Sequence, residues 1–166
     1  SNRPDIIHIG HLSHLSTNIV NIAKEEFHIP VFFTIHDFWM FCFRGQMVDL
    51  DMKICPGPGF KTCFKCMDRT FKESADAKQY KKYREHMKLV LDNIDRFLSP
   101  SAFLLGFYGK NGIYYDKLRL SRYGFDKELI HYRKREFKKN TPITFGFIGR
   151  VIPIKGITLL LESFSE

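Results

Sequence analysis

Two short apolar runs, Asp5-Ile6-Ile7-His8-Ile9 and Val31-Phe32-Phe33-Thr34-Ile35, stand on either side of a single helical period. Between them Leu12, Leu15, Ile19, Ile22, Ala23 and Phe27 recur at threes and fours, which is one face of an amphipathic helix. Pro30 cannot continue that helix, so it ends before the second run. β-Branched and aromatic runs of this length read as buried strands. Strand, helix and strand with short joins make a βαβ unit, and such strands pair in parallel through a right-handed crossover. The predicted class is therefore α/β, a parallel sheet with flanking helices.

The pattern continues downstream. Tyr80, Tyr83, Met87, Leu91 and Ile94 keep helical spacing, and Arg96-Phe97-Leu98-Ser99 reads as a third strand. Pro100-Ser101 opens a helix with Ser101 as its N-cap. Phe103, Leu104, Phe107 and Tyr108 form its apolar face, and Gly112 stops it. Lys117-Leu118-Arg119-Leu120 is a fourth strand. Ile143 to Ile148 reads as a further buried strand, Gly149 to Gly156 as a loop, and Ile157, Leu160, Leu161 and Phe164 as the start of a helix. A lone βα unit cannot bury both faces, so a second domain is expected to begin near residue 140 and to be truncated. The expected division is 1–139 and 140–166. The opening Ser1-Asn2-Arg3-Pro4, without an initiator Met, agrees with a partial chain. Truncation predicts an uncovered sheet edge and helix face, and hence association.

Of the 166 residues, 44% are apolar and 27% charged, which excludes a disordered chain. No apolar run approaches the length of a membrane span, and no charged-then-apolar leader opens the sequence. The expected location is cytoplasmic, with peripheral contact at the inner membrane face. Lysine and arginine number 26 against 18 acidic residues, a net charge of +8. That excess favours phosphates, anionic lipid headgroups or acidic glycans without choosing among them. Its densest block is Arg133-Lys134-Arg135-Glu136-Phe137-Lys138-Lys139, expected as a linker.

Residues 38–66 interrupt the α/β alternation and hold all four cysteines, Cys42, Cys55, Cys63 and Cys66. The stretch is too long for an ordinary connection and is expected to be an irregular insertion. Cys63-Phe64-Lys65-Cys66 is a C-x-x-C pair, and four thiolates suit a tetrahedral structural Zn²⁺ with no open position. Iron–sulfur ligation, four reduced thiols and one or two disulfides are the alternatives.

The loop Gly149-Arg150-Val151-Ile152-Pro153-Ile154-Lys155-Gly156 leaves the end of a predicted strand and enters a helix. Ligands of open α/β sheets bind just outside those strand ends. A helix N-terminus offers unpaired N–H groups and partial positive charge, and Arg150 and Lys155 add two cations. A diphosphate fits there, with Gly149 and Gly156 permitting close approach. The plainer reading is a solvated basic loop.

Phe147 to Ile157, followed by Leu159-Leu160-Leu161-Glu162-Ser163-Phe164, resembles the opening of the C-terminal domain of family 4 glycosyltransferases. Pro4 to Ile9 and Pro30-Val31-Phe32-Phe33-Thr34-Ile35-His36-Asp37 resemble the later half of their N-terminal domain. Leu98-Ser99-Pro100-Ser101, Asn111-Gly112-Ile113 and Ser121-Arg122-Tyr123-Gly124-Phe125 resemble the segments that lead to the interdomain linker. The resemblance covers nearly the whole chain. It implies a GT-B architecture of two Rossmann-like domains around a cleft. It also implies sugar transfer from a nucleotide-sugar donor to a glycan or lipid-linked acceptor, with retention and without a catalytic metal. Under it Gly149, Arg150, Lys155 and Gly156 hold the donor diphosphate, and His36 is the catalytic candidate that touches donor sugar or phosphate. The family's glycine-rich loop would precede residue 1 and its donor-gripping acids would follow residue 166. The expectation is an enzyme as parent and an inactive chain in isolation.

His8, at the end of the first strand, Asp37 and Arg44 are candidates for the acceptor side of the cleft. His36 can equally pack beside Asp37 and Trp39 and shape the loop. His8, His11 and His14 cluster as well, but no carboxylate spacing supports a metal among them. The competing function is a small basic metal-stabilised module binding nucleic acid or another anion. Nucleic acid is disfavoured because the basic residues spread over several elements and no zinc-finger helix follows the C-x-x-C.

Overall fold

The computed structural model describes residues 3–72, 76–134, 136 and 142–165. Four strands, β1 (Ile7–Ile9), β2 (Val31–Thr34), β3 (Arg96–Ser99) and β4 (Leu118–Leu120), form one sheet in the order β1-β2-β3-β4. Every pairing is parallel, so the α/β class holds. Helix α1 (Asn18–Asn21), continued by a π-helical turn (Ile22–Glu26), joins β1 to β2. Helices α2 (Phe60–Thr70) and α3 (Ala77–Asp92) lie between β2 and β3, and α4 (Ala102–Lys110) between β3 and β4.

The register explains where the core sits. Ile9 pairs with Phe33, Phe33 with Phe97 and Phe97 with Leu118, so these four side chains share one row and one face. All four are buried, with Val20, Ala23, Met87, Val90, Leu91, Leu104 and Tyr108 of the helices packed in the same cluster. The neighbouring row, His8, Phe32 and Arg96, points the other way and is exposed or half-buried. The strands are thus buried on alternate residues, not on both faces as their composition predicts. Asp95 fastens the start of β3: its carboxylate accepts Val31 N–H at 2.8 Å and pairs with Lys24.

Three sequence expectations need correction. The first helix begins at Asn18, not Leu12, because the chain turns through His14 with φ of 65°. Val20 and Ala23 are its buried residues, while Leu15, Ile19, Ile22 and Phe27 are exposed. The cysteine segment is irregular only as far as Gly59, since α2 takes Cys63 and Cys66 into a helix. Ile143 to Ile148 forms no strand: the described residues of this stretch are irregular, and Ile143, Phe145 and Ile148 are exposed. Ser101 does stand at the α4 N-cap, though without a side-chain capping bond.

The chain falls into two compact units, Ser1–Gly124 and Phe125–Glu166. The second holds α5 (Ile157–Ser165), and none of its described residues is fully buried. Arg135, Phe137, Lys138 and Lys139 of the basic block, and the expected boundary at 139–140, lie outside the described residues. No described helix is long and apolar enough to cross a membrane.

Candidate functional site

In a parallel sheet all strands end at one edge. Here that edge gathers Gly10 and His11 after β1, His36 and Asp37 after β2, Ser99 at the end of β3 and Tyr123 after β4. Backbone bonds tie the ends together. Ile35 N–H donates to Leu98 C=O at 2.7 Å, and Ser121 N–H donates to Ser99 C=O at 2.8 Å. The Ser99 hydroxyl, fully buried, donates to Ser101 C=O at 2.8 Å.

His36 is exposed at this edge. Its Nδ1 hydrogen-bonds the Tyr123 hydroxyl, and the two rings lie nearly parallel, 14° apart with centroids at 5.6 Å. Its Nε2 sits above Gly10, 3.9 Å from where a Cβ would be. A ring held by a stack and one hydrogen bond presents its other nitrogen in a fixed direction. Sequence reading found His36 but gave Tyr123 no role, because a tyrosine in a connecting segment has no pattern that marks it.

Asp37 is held from two sides. Its Oδ1 accepts Trp39 N–H at 2.8 Å, and its Oδ2 lies 3.3 Å from His11 Nε2. His11 Nδ1 accepts Ser13 N–H at 2.8 Å, so the proton of the neutral ring belongs on Nε2, facing the carboxylate. The Tyr108 hydroxyl donates to the Asp37 C=O at 3.2 Å, and burial pushes the Tyr108 phenol well up, so it stays a donor. His11 therefore joins the site as Asp37's partner. His8 does not: its Nε2 bonds the Thr34 hydroxyl at 2.7 Å on the open sheet face. His8 and His11 thus take different partners, Thr34 and Asp37.

Arg44 is half-buried, and its Nε is buried with no partner among the described residues. It lies near Cys66. Burial pushes the Cys66 thiol up, Arg44 opposes that, and Cys42, Cys55 and Cys63 add to it. All four cysteines are free, half-buried, and line one cavity of about 370 Å³ beside α2. As they stand, no three histidine, cysteine or acidic side chains among the described residues form a ready metal-ligand set.

In the second unit the Gly149–Gly156 loop closes in a 3₁₀ turn (Pro153–Lys155) that feeds α5. Gly156 has φ of 70°, the left-handed region that glycine enters without a Cβ clash, and its C=O accepts the Leu160 N–H at 3.0 Å. Arg150 and Lys155 are exposed, and neither has a carboxylate partner among the described residues. Gly149 is not in a left-handed conformation. A Cβ there would meet the Phe147 ring at 3.3 Å.

No protein-family model, no curated protein and no solved structure matches this chain.

Proposed function

We propose that the chain is part of a glycosyltransferase of GT-B type that moves a sugar, with retention, from a nucleotide-sugar donor to a glycan or lipid-linked acceptor. The observation that carries this reading is the exposed His36, fixed by Tyr123 at the carboxyl edge of an all-parallel sheet. That edge is where α/β sheets bind ligands. Arg150 and Lys155, exposed before α5 and without a carboxylate partner among the described residues, support it from the second unit.

The chemistry follows from charge. Breaking the sugar–phosphate bond puts negative charge on the departing diphosphate. Arg150 and Lys155, cations that stand beside that position, would stabilise the transition state more than the bound donor. The sugar carbon becomes oxocarbenium-like, the acceptor hydroxyl attacks from the leaving-group face, and the departing phosphate takes its proton. His36 orients the donor and Asp37 faces the acceptor, with His11 keeping its carboxylate in place. This reading needs no catalytic metal. A peripheral contact of the +8 chain with anionic lipid headgroups would bring it to lipid-linked acceptors.

Calorimetric titration of the chain at low salt with UDP, GDP and the matching nucleosides tests this. Both diphosphates are expected to bind, and Arg150→Ala and Lys155→Ala are each expected to weaken them about tenfold. Equal binding of diphosphate and nucleoside, or a double variant that binds UDP as well as the unaltered chain, overturns the reading.

A further inference from the structure

We propose that Cys42, Cys55, Cys63 and Cys66 bind one Zn²⁺ as four thiolates, with the half-buried Arg44 as a cation that balances its charge. This stands independently of the glycosyltransferase reading.

The first argument is placement. The chain has four cysteines, and the fold sends all four to one cavity from four points of the β2–α3 connection. Cys63 and Cys66 are three apart in the first two turns of α2 and share a face. Cys42 follows the turn after β2, and Cys55 is set by its N–H donating to Met47 C=O at 2.8 Å. The sulfurs must draw together to coordinate, and the cavity they line, about 370 Å³, leaves them the room.

The second is charge. Four thiolates around Zn²⁺ carry a net charge of about −2, which an enclosed site must offset. Arg44 is half-buried and brings a guanidinium whose Nε–H is buried with no acceptor among the described residues, an arrangement that costs stability unless something fills it. A neighbouring thiolate fills it. Arg44 stands behind the cavity wall, two residues from Cys42, while Lys61, Lys65 and Arg69 line the cavity itself; Asp51 lines it too but is held by Arg69 at 2.7 and 2.8 Å. Gly59 N–H already points at Cys63 Sγ from 3.4 Å, the backbone-to-sulfur contact that supports a ligating thiolate.

The third is what the segment lacks. Helix α2 buries none of its residues, and Met52, Ile54, Phe60 and Phe71 around it are exposed. Met47, Met52, Gly45 and Gly57 all hold positive φ in one short stretch. Met40, Phe41 and Met47 anchor the start of the connection in the core, but from Val48 to Phe71 no side chain is buried, and a stretch so short of apolar burial gains its order from an ion. Four soft sulfur ligands select zinc over hard cations and leave no open position, so the ion is structural. It would also brace the His36–Asp37 edge, since Phe38 C=O accepts Cys42 N–H at 2.8 Å and Gly45 C=O accepts Phe38 N–H at 3.1 Å.

The test is elemental analysis of the whole chain, purified without chelator, followed by Co²⁺ exchange. One zinc per chain is expected, and the Co²⁺ form should show thiolate charge-transfer bands with tetrahedral ligand-field absorption. Cys63→Ser with Cys66→Ser should abolish both. Arg44→Met should keep the stoichiometry but weaken zinc about tenfold in competition with a chromogenic chelator. Should the double serine variant fail to fold, stoichiometry and cobalt spectrum of the unaltered chain still decide. No stoichiometric zinc in zinc-supplied chain, iron with sulfide instead, four thiols that react freely before chelation, or an octahedral oxygen-ligand cobalt spectrum each overturns the proposal.

Discussion

Val31-Phe32-Phe33-Thr34-Ile35 and Ile143-Thr144-Phe145-Gly146-Phe147-Ile148 are close to interchangeable as patterns of letters. The first is a central strand with Val31 and Ile35 fully buried, and the second is irregular with Ile148 fully exposed. The difference lies in neighbours. β2 has β1 on one side and β3 on the other, and three helices supply the row that covers Phe33. Within Phe125–Glu166 no described segment offers the second run a strand to pair with. An apolar run states a capacity for strand, and its partners decide whether the capacity is used.

The hardest blow to this contrast is at its packed end. Phe97 is fully buried, its ring centroid lies 6.4 Å from that of Phe33 and 5.9 Å from that of Tyr108, and it pairs with both Phe33 and Leu118. Phe97→Ala removes its burial and leaves a cavity, so unfolding free energy from urea titration should fall by about 3–5 kcal/mol. A loss under about 1 kcal/mol would mean that the core is not where the register places it. Next in size is Gly109→Ala on α4. Its Cβ would stand 2.7 Å from the ring of Tyr115, the far end of an exposed side chain, so the ring must swing aside and give up its packing on Gly109, at a cost of about 1 kcal/mol. Helix propensity alone predicts the opposite sign, because alanine is the better helix former. The sign of the change in urea midpoint therefore separates the two effects.

These residues also show what was legible beforehand. β1 to β4 were readable because each run is bounded by Pro, Gly or a helical period, and the parallel order followed from the crossovers. Helix α3 was readable from Tyr80, Met87 and Leu91 at helical spacing. The start of α1 was not, since a left-handed His14 is a tertiary outcome with no letter to announce it. At the site, His36 and Asp37 could be picked out because they follow a strand. The Tyr123 stack, 87 residues away in sequence, and the His11 hydrogen bond to Asp37 depend on the sheet bringing its ends together. The orphaned Nε of Arg44 is likewise a product of packing.

An effect of similar size tests what fastens β3 to β2. Burial alone would raise the Asp95 carboxyl, but the Lys24 ammonium and the Val31 N–H outweigh it and hold it below its ordinary value. A carboxyl lowered on folding adds stability above its unfolded value near about 3.9, and that stability is lost as pH falls through the lower folded value. Asp95→Asn keeps the shape and removes the charge. At neutral pH it should cost about 1 kcal/mol, the modest size reflecting a pair that is still about a third exposed to screening. The difference between the two chains should stay level from about pH 8 to 5 and close at lower pH. A difference that grew on acidification would have the wrong sign for this pair.

The least perturbing change is the one that can turn the comparison over. Ile148 is fully exposed, so Ile148→Ser takes nothing out of a core, and surface substitutions of this kind stay within about 0.5 kcal/mol. The urea midpoint should not move. A loss of about 1.5 kcal/mol or more, the size expected for a buried isoleucine, would show that this side chain is buried after all. The run would then be a strand with a partner, as its letters predict. The contrast with β2 would be one of when a neighbour is present, not of whether the segment can use one. Hydrogen exchange at the Phe145 and Phe147 amides gives the same answer without a mutation: fast exchange keeps the irregular assignment, and protection approaching that of Phe33 replaces it with a strand.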